Sequence, residues 1–154
     1  MKTSHRILTV AVLLVTGAVL GASKILEIDR QNAWNAMSTS NLKQISLAWT
    51  MYADDWNDTF PNLSDAQSMK QVLAPYLGGS EKPFLHPKTG QPYQPNSSLT
   101  YQKRKSPNAS AYIVAVYEAD PAQDGTRGVL FTDGHADRVN EPVWQKLKKT
   151  SNIP

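Results

Sequence analysis

Hydrophobic and polar positions divide the chain into three regimes. From Ile7 to Ala22 (ILTVAVLLVTGAVLGA) nearly every residue is apolar or small, with Lys2 and Arg6 in front and Lys24 behind. From Ile25 to Asp55 the apolar residues return at three- and four-residue spacing. Leu42, Ile45, Trp49 and Tyr52 form one stripe, and Lys43, Gln44, Ser46 and Thr50 lie off it, which is the period of an amphipathic helix packed on a core. The first sixty residues hold no proline, and all 10 prolines of the chain come after them. Proline removes a backbone donor and clashes with the preceding turn, so this distribution predicts one uninterrupted helix that stops before Phe60-Pro61. A helix of about fifty residues would be roughly 75 Å long at about 1.5 Å per residue. That is more than a small domain can cover, so part of it should lie in a membrane, against a partner, or both.

The third regime is shorter-ranged. Carboxylates are unfavourable at a helix C-terminus, so Asp54-Asp55-Trp56-Asn57-Asp58 should turn the chain. Ser64 or Asp65 is placed to cap a second helix over Ala66 to Leu77, ended by Gly78-Gly79. Residues Ser80 to Asn108 are proline-rich with little periodicity and read as a long ordered loop, with Leu99 to Arg104 as a candidate strand. Ala111 to Tyr117 (AYIVAVY) has the β-branched and aromatic content of a buried strand. Gly128–Thr132 and His135–Val139 flank Asp133-Gly134, which predicts a hairpin on a type I′ turn. Glu141-Pro142 opens a last helix with Val143, Trp144 and Leu147 on one face and lysines near its end. The expected class is α+β: a long N-terminal helix, membrane part plus amphipathic stem, packed on a small antiparallel β-sheet. Ser38-Thr39-Ser40 should weaken the helix locally where stem meets head.

Residues 1–24 read either as a membrane anchor or as a signal segment. The apolar run falls short of the roughly twenty residues that cross a bilayer, and Gly21-Ala22-Ser23 supplies the small residues of a cleavage site. Helical character continues past Ser23, however, and Lys24 can snorkel to the headgroups, which favours a retained anchor in contact with membrane lipid. Lys2 and Arg6 then hold the amino terminus in the cytoplasm and put residues 25–154, stem and head, outside. Gly17 and Gly21 form a small-x-x-x-small pair through which two such helices could pack.

Composition narrows the function classes. With no cysteine there is no disulfide, thiol nucleophile or thiolate metal site. The net charge of +3 is mild, and the basic residues gather only at Lys103-Arg104-Lys105 and at Lys146, Lys148 and Lys149. Nucleic-acid binders show a broader basic stripe, so no nucleic-acid partner is expected. Glu118, Asp120, Asp124, Asp133, His135 and Asp137 group hard ligands near one loop. Asp120, Asp124 and Asp133 are the candidate calcium ligands, although Asp133 is equally explained as a turn residue and no EF-hand spacing is met. No other cofactor is implied. His5, His86 and His135 are unaccompanied by Gly-x-Ser-x-Gly, His-Glu-x-x-His or a phosphate loop, so no enzyme is expected.

Two segments carry a family likeness. Ser40 to Pro61 (SNLKQISLAWTMYADDWNDTFP) and Gly128 to His135 (GVLFTDGH) resemble the stem and closing segments of bacterial pseudopilin-like proteins. These are the prepilin-type group of type IV pilin-like proteins ending in a Phe-x-Asp-Gly-His motif, here Phe131, Asp133, Gly134 and His135. The resemblance covers about thirty residues directly. It implies a pilin-like structural protein of the bacterial inner membrane, single-pass with a periplasmic head. Such a protein would work in type II secretion-like or surface assembly, packing against like subunits or other pseudopilus components. Three family features are missing: no glycine precedes Ile7, no glutamate lies within Ile7 to Ala22, and Gln123 stands where the family carries a histidine. The alternative is a secreted, signal-peptide-cleaved binding module whose acidic loop holds calcium.

Overall fold

The structure is a computed structural model that describes residues 2–104 and 112–154; in the first helix, side chains are described from residue 23 onward. The chain divides into two compact units, Met1–Ala33 and Trp34–Pro154. Helix α1, Lys2–Asp55, runs without a break. Ser38-Thr39-Ser40 does not interrupt it, because the hydroxyls find partners that leave the helix ladder intact. Thr39 donates to the Asn35 carbonyl at 3.0 Å, one turn back, and Ser38 points into the protein. In the first unit the described side chains include an Arg30–Glu27 pair at 3.4 Å and the exposed Ile25, Leu26 and Ile28.

The second unit is α+β. Helix α2 (Ala66–Leu73) starts at Asp65, whose carboxylate accepts the Ser68 N–H at 2.8 Å. It tightens into a 3-10 turn over Ala74–Leu77 and stops at Gly78, which takes the left-handed conformation with φ 64°. Four antiparallel strands follow in the order β1 (Gln94–Pro95), β2 (Val114–Tyr117), β3 (Thr126–Phe131) and β4 (Ala136–Asn140). Helix α3, Glu141–Thr150, begins directly after β4 with Asn140 as its cap.

The sheet is covered on both faces. Leu42, Ile45, Trp49 and Tyr52 of α1 share a buried cluster with Phe60, Leu63, Met69, Leu73, Phe84, Tyr93, Ala115, Val116 and Leu130. Trp49 meets Phe60 edge-on at 5.3 Å between ring centres, a favoured aromatic geometry. The other face packs Val114, Val129 and Phe131 against Trp144 and Ile153. Side chains alternate along a strand, so consecutive Ala115 and Val116 should face opposite ways. A register shift between Val114 and Val116 changes this and turns both towards the α1 side.

Several expectations are corrected. Leu99–Arg104 is not a strand: Ser97–Leu99 is a 3-10 turn capped by Asn96, and only an isolated bridge joins Lys103 to Thr59. The loop before it holds β1 instead, an edge strand on which Pro95 needs no N–H partner. The hairpin is not type I′, which requires positive φ at both central residues. Here Gly134 has φ 96° while Asp133 does not enter that region. Gly134 N–H bonds the Phe131 carbonyl at 2.9 Å, giving a three-residue loop that closes on a left-handed glycine. Among the described residues no helix is long and apolar enough to cross a membrane. From Ser23 on, α1 carries Lys24, Glu27, Asp29, Arg30, Lys43, Asp54 and Asp55, too many charges for a span. This overturns the expected single-pass inner-membrane protein with a cytoplasmic amino terminus and a periplasmic head. The side chains of Ile7–Ala22, with the Gly17–Gly21 pair, and of His5 lie outside those described, and Lys105 lies outside the described residues.

The core ranking gives a direct test. Trp49→Ala should cost about 3–5 kcal/mol in urea unfolding, whereas Leu47→Ala on the exposed face of the same helix should cost under about 1 kcal/mol. Equal losses would contradict this packing.

Candidate functional site: a buried carboxylate between helix and sheet

Glu118 follows β2 on the α1 side of the sheet and is 2% exposed. A charge buried this deeply is tolerated only when its acceptor positions are filled. Ser38 on α1 donates to Oε1 at 2.5 Å, and the Gly128 amide of β3 donates to Oε2 at 2.8 Å. Arg138 of β4 lies across both oxygens, at 2.9 Å to Oε1 and 3.2 Å to Oε2, in the paired geometry that guanidinium and carboxylate favour. Four donors from three elements therefore meet one carboxylate. Burial pushes the Glu118 carboxyl up, but Arg138, the Gly128 amide and Ser38 outweigh it and hold it below the ordinary value.

The donors are themselves held. Tyr93 and Ser38 share a hydrogen bond of 2.8 Å; since Ser38 gives its proton to Glu118, Tyr93 is the donor. Burial, reinforced by the negative Glu118, pushes the Tyr93 hydroxyl up to about 12, so it keeps that proton. Arg138 Nε donates to Thr126 Oγ1 at 2.9 Å, and Thr126 donates to Asp124 at 2.7 Å. The other oxygen of Asp124 accepts from Asn35 of α1 at 2.7 Å. Helix α1 thus holds this polar chain at both ends, through Asn35 and Ser38. Gly128 is required by proximity: a Cβ there would stand 2.7 Å from Glu118 Oε1 and 3.2 Å from Leu42 Cδ1.

His86 borders the cluster, with Nε2 3.6 Å from Glu118 Oε1. Its Nδ1 accepts the Lys88 and Thr89 amides, each at 3.2 Å, which places the ring proton on Nε2, facing Glu118. Desolvation lowers the His86 pKa below 6.5, with Arg138 and Lys88 acting in the same direction and Glu118 opposing. His86 is therefore uncharged at neutral pH, and the contact is not an ion pair there.

The residues singled out from sequence fall in several places. Asp124 is engaged by Thr126 and Asn35, and Asp133 by His135, whose Nδ1 lies 2.6 Å from its carboxylate. Among the described residues, Asp120, Asp124 and Asp133 included, no group of three or more His, Asp or Glu side chains that could hold a metal ion is found. Phe131 and His135 stack at 4.2 Å, and Gly134 presents its carbonyl to Ser46 of α1 at 3.0 Å. The closing motif is thereby a docking point for the helix. Sequence reasoning missed Ser38, Tyr93, Arg138 and Asn35. The available signal was a glutamate directly after an apolar strand, with an arginine out of place in the strand following the hairpin.

No family model matches the chain, and no curated protein or solved structure matches it either.

Two outcomes follow from this geometry. Gly128→Ala should destabilise the protein by about 1–3 kcal/mol by forcing the carboxylate off its donors, read as a lower urea midpoint; an unchanged midpoint would contradict the close approach. Acid should act in two stages. The folded pKa of His86 is depressed, so between 6.5 and that lower value the unfolded chain binds more protons and stability falls as pH drops. The Glu118 pKa is also depressed, so a further loss begins below 4.5. In melting curves His86→Gln should remove the first stage and leave the second.

Proposed function

We propose that the chain is a pilin-like structural subunit of a secretion or surface assembly, associating with like subunits through α1. The observation behind this reading is the outward face of the helix in the second unit. Met37, Leu47 and Met51 are 51%, 57% and 42% exposed, with Ala36, Ser40, Gln44 and a single charge, Lys43, among them. Leu47 and Met51 lie one turn apart on one face, away from the buried Leu42, Ile45 and Trp49. A solvent-facing helix surface ordinarily carries charge, and large apolar side chains there gain free energy when a partner covers them. The likeness of residues 40–61 and 128–135 to the stem and closing segments of pseudopilin-like proteins supports the same reading, as does the packing of a long helix on a small antiparallel sheet. Glu118, the most elaborately bonded carboxylate, has its acceptor positions filled and stays ionised, which suits holding the fold together more than proton transfer.

Sedimentation equilibrium of the full chain tests the proposal. Concentration-dependent association is expected, and Leu47→Glu should weaken it by about tenfold or more while leaving the fold intact. A monomer at every concentration, or association indifferent to Leu47→Glu and Met51→Glu, would overturn it.

A further inference from the structure

Two of the 4 methionines of the chain stand on the α1 face through which subunits are proposed to associate. Met37 and Met51 are exposed, while Met69 is fully buried in the core. Positions 37 and 51 are 14 residues apart, close to four turns at about 3.6 residues per turn, so both side chains leave the helix on one side. Leucine would pack against a partner helix as well as methionine does, and with a better defined shape. What methionine adds is a thioether sulfur, soft, polarizable and open to two-electron oxidation. The chain has no cysteine, so no thiol competes for an oxidant. Among the described residues, these two sulfurs are the ones presented to solvent.

Oxidation there would act on the property that drives association. The surface holds Leu47 and the two methionines with a single charge, Lys43, among them, so its tendency to associate comes from apolar area. A sulfoxide puts a strong hydrogen-bond acceptor where the thioether was apolar. Once a partner covers it, that oxygen is either matched by a donor or left unpaired at a cost. The fold itself is spared, because neither side chain belongs to the buried clusters that fasten helix to sheet.

We propose that Met37 and Met51 form a reversible oxidation site that dissociates the α1 contact, which rests on the assembly reading above. The oxidant is a hydroperoxide. A methionine sulfur gives an electron pair to the terminal peroxide oxygen, and the O–O bond breaks as the S–O bond forms. A proton shift then completes the leaving alcohol, or water when the oxidant is hydrogen peroxide. The sulfur is oxidised by two electrons and the peroxide is reduced by two. A thiol-dependent sulfoxide reductase reverses the step: two thiols become a disulfide and the oxygen leaves as water. Association covers both sulfurs, so the free subunit is the species attacked and the assembled one is protected.

Sedimentation equilibrium of the full chain before and after limited hydrogen peroxide, with peptide mass mapping of each methionine, tests this. Met37 and Met51 should be converted about tenfold faster than Met69 or more, following their exposure, and more slowly as protein concentration rises. The oxidised chain should associate about tenfold more weakly with its urea midpoint unchanged, and methionine sulfoxide reductase should restore it. The double variant Met37→Leu/Met51→Leu, compared only with itself, should associate equally before and after peroxide. Reversal by the reductase carries the test if that variant does not associate. Association indifferent to full conversion of both residues, a loss that persists in the double variant, or Met69 oxidised as fast as the other two in the folded chain would overturn the proposal. A chain that is monomeric before any peroxide is added would overturn the assembly reading and the dissociation step with it, an outcome distinct from the others because no oxidant is involved.

Discussion

The Glu118 carboxylate is the constraint around which the head is organised. It is buried and ionised, so it must be surrounded by donors, and those donors come from α1, β3 and β4. Removing one partner of such a pair typically costs about 3–5 kcal/mol, because the other charge is left stranded. Its requirements fix several identities at once: glycine at 128 where a side chain would collide, arginine at 138 to cover both oxygens, and serine at 38 where the helix passes closest. The hydrophobic cluster around Trp49 supplies the larger driving force, but it is non-directional and would tolerate the helix sliding on the sheet. The polar bonds from Asn35, Ser38 and Ser46 allow one register only.

That register decides which surface of the helix faces outward. With Leu42, Ile45 and Trp49 committed to the core and Ser38 to Glu118, Leu47 and Met51 have nowhere to turn but solvent. Their exposure follows from how the helix is fastened, and it underlies the proposal that α1 packs against a like subunit. Trp56, exposed and stacked on Tyr52 just past the end of the helix, is a separate feature.

Local pattern made much of this fold legible in the sequence. The absence of proline before Pro61 located the end of α1, and Asp65 and Gly78-Gly79 bounded the second helical segment. The hairpin was visible from Asp133-Gly134, but not its turn type, because the same dipeptide serves a two-residue loop and a three-residue loop alike. Leu99–Arg104 misled: Leu99 ends the 3-10 turn that Asn96 caps, and Tyr101 takes a φ of 58°, which no strand allows. The clasp was illegible for a deeper reason. Ser38, Tyr93, Glu118 and Arg138 are far apart in the chain, and each has an ordinary local explanation. Ser38 read as a weak point in a helix because nothing nearby in sequence shows the carboxylate it meets. The acidic neighbours of Asp124 were visible in the sequence, while its partners Asn35 and Thr126 were not.

Native-state amide hydrogen exchange tests most directly whether the clasp fastens helix to sheet. If it does, the amides of residues 42–52 and those of β2, β3 and β4 will open with a common free energy, and Ser38→Ala will lower that free energy for helix and sheet together. Helical amides that open independently of the strands, or a Ser38→Ala effect confined to the turn around residue 38, would contradict the account.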